Sequence, residues 1–346
     1  MFSNVFRKGK PLDPEDFESY VEQVFLRGPY YSEAEGSLVY EMASGRIGAA
    51  LLILPMQVTA NGRVLTGRLL TAFMKDPCLP SAGSARISLR LRAKLQDFCF
   101  SDTAAPVSAS LTAAGGGEIL PVQTLQWRRI FRPVGFLTAN PRKHFSRTAA
   151  VPLKLAAPLI DRLARLAVSS LAIRKHGTTT TEPMDIDRFR DQAVAMIERF
   201  SVRPTWSKDE FDWLVGLADR NPRIGKRHCR AVVDGSGATI GACLYFVGRE
   251  KVAHVFNLVS LPGRESDVVA ALFEHFDSCG CVAAHGMAQP FLMTALGTQR
   301  YVSFRHRGHF CLLTKHADVI DAVRRHDIYI GGLASEAWSR LLTDFR

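Results

Sequence analysis

Hydrophobic and polar positions divide the first part of the chain into one helix and three long strands. Residues 13–27 are predicted to form a helix, because Asp13 is a preferred N-cap residue and Pro14 suits a first turn. Three apolar segments follow, at 37–42, 45–60 and 62–74. Gly45 marks one turn, and Asn61-Gly62 is a strong hairpin signal. We therefore expect a meander of three strands.

Beyond the meander the pattern alternates between helices and strands. In residues 86–97, Ile87, Leu91 and Leu95 are four apart and basic residues occupy other positions, which predicts a helix. The series continues with a strand at 97–102, a helix at 105–114 and a strand at 118–131. Helices interleaved with strands in this way predict a mixed α/β (α+β) sheet architecture.

A similar order of elements begins again near residue 185. Helices are predicted at 186–200, 207–218, 264–279 and 316–326, and strands at 227–234, 238–247, 251–260, 281–286, 300–304 and 309–314. Local sequence is shared as well: 45–51 corresponds to 238–244, and 104–111 parallels 288–295. These matches suggest a duplicated domain.

An irregular basic stretch separates the two series and predicts a connection between domains. Its residues 153–175 are amphipathic, with leucines near helical spacing. We therefore predict an N-terminal domain at 1–134, a basic amphipathic helical linker at 135–184 and a C-terminal domain at 185–346. The linker leucines are expected either to pack inside the protein or, through 142–175, to contact an anionic membrane surface.

Charge and composition restrict the classes of partner. The chain has 346 residues, 47% of them hydrophobic, and a net charge of +11, which favours anionic partners. Nucleic acid is not expected, because no recognition helix is evident and aromatic residues do not alternate with the basic ones.

The cysteines and the apolar segments predict a cytoplasmic protein. The 7 cysteines are irregularly spaced, which is typical of reduced thiols. Neither a signal peptide nor a membrane-spanning run is expected. His306, His309, Cys311 and His316 lie close in sequence, but His306 would point away from the strand face that His309 and Cys311 share, so we expect no metal site.

A loop of small residues after the third strand is the main candidate for a binding site. Ser81 to Ala85 are all small, and Arg86 adds a positive charge. Unpaired backbone N–H groups at the start of a helix bind anions, and small side chains let a pyrophosphate approach the main chain. The alternative is an ordinary turn between a strand and a helix.

The elements around this loop resemble the GCN5-related N-acetyltransferase (GNAT) fold, in which coenzyme A lies in a gap beside the strand before the loop. Pro80-Ser81-Ala82-Gly83-Ser84-Ala85 keeps the Gly and the final Ala of the family's Gln/Arg-x-x-Gly-x-Gly/Ala motif, with Pro80 at the basic position. Phe73-Met74-Lys75-Asp76-Pro77 looks like the family's strand end. The resemblance covers 13–131 well and 186–326 loosely, as a degenerate second copy in which Ser260 to Arg264 is too short for a phosphate cradle.

The resemblance implies a bacterial-type tandem acyltransferase that moves an acyl group from acetyl-CoA or another acyl-CoA to an amine or hydroxyl by direct attack. The implied coenzyme-binding residues are Ala72, Phe73, Met74, Lys75, Ala82, Gly83, Ser84, Ala85 and Arg86. Asp102 is the candidate general base, and its alternative role is to cap the helix at 105. Leu111 stands where many members have a Tyr that protonates the thiolate. A second hypothesis is therefore a catalytically inactive tandem protein that acts as a binding or scaffold module.

Overall fold

The computed structural model describes residues 1–7, 13–79, 82–139, 156–164, 166, 173, 177–343 and 345. The strands are β1 (Leu38–Glu41), β2 (Ile47–Ala60), β3 (Arg63–Lys75), β4 (Phe98–Ala104), β5 (Glu118–Ile119), β6 (Leu125–Ile130), β7 (Thr180–Pro183), β8 (Val202–Pro204), β9 (Lys226–Val233), β10 (Thr239–Val247), β11 (Val252–Ser260), β12 (Ala283–Met287), β13 (Val302–His306) and β14 (His309–Leu313). The helices are α1 (Phe2–Phe6), α2 (Pro14–Phe25), α3 (Ala82–Arg90), α4 (Pro106–Ala114), α5 (Pro133–Ala139), α6 (156–164), α7 (Ile186–Ile197), α8 (Lys208–Asp219), α9 (Glu265–Ser278), α10 (Met293–Gly297), α11 (Ala317–Arg324) and α12 (Arg340–Thr343).

The chain forms two compact units, each built from separate segments. Unit 1 comprises Met1–Thr124, Glu198–Asn221 and Arg307–Arg346, and unit 2 comprises Leu125–Ile197 and Pro222–His306. The contiguous domains predicted at 1–134 and 185–346, with a linker at 135–184, stay a prediction about the organisation of the sequence.

Unit 1 contains a mixed sheet in the order β1-β2-β3-β4-β14-β5, with β8 beside β2. β3 and β4 run parallel, whereas the other neighbours are antiparallel. The predicted three-strand meander is confirmed. Ile87 of α3 belongs to a buried hydrophobic cluster that includes Leu51, Leu70 and Cys99 of the sheet.

Unit 2 contains the second mixed sheet, in the order β13-β6-β12-β11-β10-β9-β7. Here β11 and β12 are the parallel pair. Their neighbours are antiparallel. The mixed α/β class predicted from the sequence is therefore confirmed.

Two predicted elements differ from the structure. The helix predicted at 86–97 is α3, which begins at Ala82 and ends at Arg90, and a separate 3₁₀ turn follows at Ala93–Leu95. The side chain of Gln96 satisfies the last carbonyl of α3, since Nε2 donates to Arg90 O at 2.7 Å. The single strand predicted at 118–131 is two strands, β5 and β6, which belong to different sheets.

The predicted amphipathic helix at 153–175 lies largely outside the described residues, but α6 covers most of its first half. Asp161 of α6 is buried and accepts hydrogen bonds from the backbone N–H groups of Val134 and Gly135, both at 2.8 Å. Leu159, Leu163 and Leu166 are instead 63%, 56% and 76% exposed. The interpretation that these leucines pack inside the protein is therefore wrong.

Candidate functional site

The parallel strands β3 and β4 separate part-way along their length. They pair only where Gly67–Leu69 lies beside Phe98–Phe100. Beyond that point β3 continues to Lys75 and β4 to Ala104 without pairing to one another. A gap therefore opens between two neighbouring strands of the unit 1 sheet.

A β-bulge lies in β3 at the start of this gap. Leu51 of β2 is opposite Phe73, whereas Ile53 is opposite Leu70, so β3 contains one residue more than β2 over this interval. The hydroxyl of Thr71 donates to Leu52 O at 3.1 Å. A bulge takes one residue out of the ladder and redirects its backbone groups, and it is typical of functional sites.

The gap contains a cavity of about 170 Å³. Leu70, Thr71, Ala72 and Phe73 of β3 all line it, as do Phe100, Ser101, Thr103 and Ala104 of β4. Because successive side chains of a strand point to opposite faces, a cavity lined by consecutive residues passes through the plane of the sheet.

Helices on both sides complete the wall of the cavity. The lining residues outside the two strands include Ser88 of α3 and Leu91 just after it, Ser108, Leu111 and Thr112 of α4, Phe2 and Phe6 of α1, and Glu336, Leu341 and Leu342 near the end of the chain. Leu111 thus reaches the cavity, so this wall presents a hydrocarbon side chain at the position where the resemblance implies a hydroxyl.

Helix α3 begins shortly after the end of β3, and its first-turn N–H groups belong to Ala82, Gly83, Ser84 and Ala85. First-turn N–H groups point away from the body of the helix and carry the positive end of its dipole. The amides predicted to bind a pyrophosphate are therefore at a helix N-terminus.

Gly83 has a packing role that the sequence did not reveal. A Cβ at this position would lie 2.4 Å from Cδ1 of Tyr40. The Arg86 guanidinium lies 5.5 Å from the centroid of the same ring. Gly83 thus lets α3 approach β1, and Arg86 lies beside the first turn of the helix.

The predicted coenzyme-binding residues therefore fall into two groups. Ala72 and Phe73 line the cavity, and Met74 and Lys75 follow them along β3 beyond its lining. Ala82 to Arg86 form the start of α3 and do not line the cavity. That these residues bind a coenzyme stays a prediction.

Asp102, the candidate base, lies beside the cavity lining rather than within it. Its side chain is fully buried, and Oδ2 is 2.7 Å from Nη2 of Arg307. Oδ1 accepts from the backbone N–H of Glu336 at 3.3 Å. Its alternative role as a helix cap is wrong, because Ala105 is the N-cap residue of α4 and that helix has no side-chain cap.

Glu336 is the cavity residue that sequence reasoning missed. Its side chain is 2% exposed and lines the cavity, and the hydroxyl of Thr103 donates to Oε2. It lies in a short 3₁₀ turn, Glu336–Trp338. A single acidic residue in a turn carries no periodic or motif signal, so only the fold brings it to the site.

Cys311, also in the lining, is poorly suited to act as a nucleophile. Burial raises the pKa of its thiol above the ordinary value, although a hydrogen bond with Thr112 opposes that shift. Because the thiolate is the reactive form of cysteine, this shift disfavours Cys311 as a nucleophile.

Unit 2 also contains a parallel strand pair that separates, but the helix that follows has an acidic first turn. Val252–Val255 of β11 pairs with Ala283–Gly286 of β12, and β11 then continues unpaired with β12 to Ser260. The first turn of α9 carries Glu265 and Asp267. Acidic side chains there already balance the helix dipole, which disfavours an anionic ligand.

Metal-binding groups and membrane-spanning helices are considered for the described residues alone. In the described part of the chain, no group of three or more His, Cys, Asp or Glu side chains is placed to hold a metal ion. Over the same residues, no helix is both long enough and apolar enough to cross a membrane.

No family model matches the chain, and no curated protein matches it. Solved structures do. A protein of unknown function from Enterococcus faecalis V583, described as a "Probable N-Acyltransferase", is 11% identical with a TM-score of 0.50, over 87% of this chain and 71% of that one. A GCN5-related N-acetyltransferase from Anabaena variabilis ATCC 29413 is 13% identical with a TM-score of 0.49, over 88% and 71% of the chains. The N-myristoyltransferase of Saccharomyces cerevisiae with bound myristoyl-CoA is 7% identical with a TM-score of 0.44, over 87% and 80%.

The likeness at a TM-score of 0.50 concerns the fold alone. The chain therefore shares a mixed α/β fold with the Enterococcus faecalis protein.

Proposed function

We propose that the protein transfers an acyl group from an acyl-CoA to an amine or hydroxyl acceptor. The observation that carries the proposal is the gap between β3 and β4, which contains both a β-bulge and a cavity. The N-terminus of α3 lies just after the end of β3 in sequence. An extended thioester substrate with a pyrophosphate at one end suits this combination.

In this proposal the first-turn N–H groups of α3 bind the pyrophosphate, and Lys75 and Arg86 add positive charge. The pantetheine arm follows β3 toward the bulge. A backbone N–H near Ala72–Met74 then donates to the thioester carbonyl oxygen and stabilises the negative charge that develops there. Unit 1 is the proposed donor site, because the first turn of α9 in unit 2 is acidic.

The reaction is direct. The acceptor nitrogen or oxygen bonds to the thioester carbonyl carbon, the carbon–sulfur bond breaks, and coenzyme A leaves and takes up a proton as its thiol. The acceptor must lose a proton, and Glu336 is the proposed base because its carboxylate lines the cavity. Asp102 is proposed to act through Glu336 as a positioning residue, because it accepts the backbone N–H of that residue.

A binding module is the second candidate, and two observations favour it. Leu111 lines the cavity where a hydroxyl would assist the departing thiolate. Leu159, Leu163 and Leu166 are exposed on or beside α6, as expected of a helix that contacts a membrane or a partner. Flotation with anionic liposomes tests this candidate, which requires that Leu163→Glu release the protein from the vesicles.

Calorimetric titration with acyl-CoA tests the main proposal. We choose Ala85→Glu as the variant rather than a change at Gly83, because Ala85 is exposed and a carboxylate there would repel the pyrophosphate without disturbing Tyr40. Leu89→Glu is the matched control, since Leu89 is 51% exposed on the same helix, one turn farther from its N-terminus.

We expect Ala85→Glu to weaken binding by roughly tenfold or more, and Leu89→Glu to change it by less than about twofold, because charge effects fall with distance and screening. Equal effects of the two variants would contradict the placement of the pyrophosphate. No binding of any acyl-CoA by the unmodified protein would contradict the proposed function.

A further inference from the structure

The cavity between β3 and β4 is walled mainly by hydrocarbon. Four phenylalanines line it: Phe2, Phe6, Phe73 and Phe100. Leucines complete the apolar wall, six of them from five different elements and Leu91 from the residue after α3: Leu51, Leu70, Leu91, Leu111, Leu313, Leu341 and Leu342. Such a surface favours an apolar occupant, because burying hydrocarbon removes it from water.

Several hydroxyl groups of the lining already have partners inside the protein. Thr71 donates to Leu52 O at 3.1 Å, and Ser88 donates to Ser84 O at 2.9 Å. Thr103 donates to Glu336. The pantetheine arm has two amides that need hydrogen-bond partners, whereas a hydrocarbon chain needs none. The cavity therefore suits the acyl chain better than the pantetheine.

The volume of the cavity sets the size of the chain. A cavity of about 150 Å³ lined by apolar side chains stays dry and holds benzene, which has six carbon atoms. The cavity of about 170 Å³ here therefore has room for slightly more than six carbons. The single methyl group of an acetyl thioester would leave most of this volume unfilled.

We infer that the acyl donor carries a medium-length hydrocarbon chain, of about six to eight carbons, rather than an acetyl group. The inference rests on the proposed function, because it assigns the cavity to the donor of that reaction. Leu70 to Phe73 of the lining lie around the bulge, where the thioester is proposed to lie. The acyl chain of the thioester would therefore continue directly into the apolar cavity.

Titration of the full chain with acetyl-, butyryl-, hexanoyl-, octanoyl-, dodecanoyl- and palmitoyl-CoA tests the inference. Each methylene that enters the cavity should strengthen binding about fourfold, and the gain should end near six to eight carbons, when the cavity is full. If the dissociation constants of acetyl-CoA and hexanoyl-CoA differ by less than twofold, the inference is overturned and the proposed function stays in place. Failure of every acyl-CoA to bind would overturn both.

Two tryptophan variants on α4 test whether the acyl chain lies in this cavity. Leu111 lines the cavity and is 46% exposed, so Leu111→Trp should fill part of it without disrupting the fold. Val107, one turn earlier, is 73% exposed and lies outside the lining, which makes Val107→Trp the matched control.

We expect Leu111→Trp to weaken the binding of octanoyl-CoA at least tenfold and that of acetyl-CoA by less than about threefold. The reason is that only the longer acyl chain needs the volume that the tryptophan fills. Val107→Trp should leave the affinities for all of these acyl-CoAs unchanged. If Leu111→Trp weakens both thioesters equally, or neither, the chain does not occupy this cavity and the inference fails.

Discussion

The contact between Gly83 and Tyr40 offers a quantitative test of how α3 is positioned. Gly83→Ala would add a Cβ 2.4 Å from Cδ1 and 3.0 Å from Cγ of Tyr40, atoms near the root of the ring that cannot move away easily. Overpacking of this kind typically costs about 1 to 3 kcal/mol. Against it stands the better helix propensity of alanine, worth at most about 1 kcal/mol. We therefore expect a net loss of roughly 1 to 2 kcal/mol in the free energy of unfolding.

The control uses another helical glycine of unit 1. Gly216 lies inside α8, and no described atom is within 4 Å of the Cβ that alanine would add. Gly216→Ala should therefore stabilise the protein by about 0.5 to 1 kcal/mol through helix propensity alone. The two substitutions are chemically identical, so an opposite sign isolates the contact with Tyr40.

Urea denaturation of a double-mutant cycle completes the test. In a Tyr40→Ala background the obstructing ring is absent, and Gly83→Ala should become neutral or stabilising. The resulting coupling should be on the order of 2 kcal/mol. If Gly83→Ala stabilises the protein in both backgrounds, as Gly216→Ala does, the reasoning about close packing is refuted and the glycine must serve another purpose.

Three further predictions concern buried charge and the wall of the cavity. Burial raises the pKa of Glu210 from 4.5 to about 8, so the folded state binds a proton more tightly than the unfolded chain, and stability should fall on the order of 3 kcal/mol between about pH 5 and pH 7.5. Glu210→Gln should abolish that decline in thermal denaturation across pH; an unchanged slope would contradict the shift. Arg307→Met should cost about 3 to 5 kcal/mol in chemical denaturation, because it leaves the fully buried Asp102 carboxylate without its cation, and a loss below 1 kcal/mol would contradict this. Arg340 holds the end of the polypeptide to Asp16 through two hydrogen bonds of 2.9 and 2.6 Å, so Arg340→Lys should loosen the part of the cavity wall that follows it. In calorimetry the variant should therefore weaken the binding of hexanoyl-CoA more than that of acetyl-CoA, and equal losses of affinity would show that Arg340 does not support the wall.

Local sequence patterns predicted most of unit 1. Asn61-Gly62 and the alternating segments around it specified the hairpin of β2 and β3, because turn chemistry and periodicity act over a few residues. Asp13 caps α2 as expected, since its side chain accepts from the N–H groups of Glu15 and Asp16. These features depend on neighbours in the chain, which is why one sequence was sufficient.

Other features depend on contacts between distant residues and left no local signal. Residues 118–131 are predicted as one strand, yet β5 pairs with β14 of unit 1 whereas β6 inserts between β12 and β13 of unit 2. The bulge at Thr71–Ala72 depends on the pairing of β3 with β2, which no turn residue marks in the sequence. The start of α3 was placed late because Ala82 to Ala85 have no large apolar side chain to mark a helical face.

The candidate site combines residues that adjoin in sequence with residues that only the fold brings together. The end of β3 and the start of α3 adjoin in sequence, so local pattern pointed to both, and their binding of a coenzyme stays a prediction. The resemblance makes Asp102 the candidate base, but the fold gives it Arg307 as a partner. Glu336, more than two hundred residues away, lines the cavity instead. A carboxylate brought in by the end of the chain could not be inferred from the spacing of residues around the loop.

The central claim is that an acyl-CoA binds in the gap between β3 and β4 of unit 1. Hydrogen–deuterium exchange with and without saturating octanoyl-CoA tests it most directly, because it reports protection along the backbone. The account predicts slower exchange in residues 70–75, 82–90 and 100–105, and unchanged exchange in 256–278 of unit 2. Protection confined to 256–278 would contradict the assignment of the donor site to unit 1.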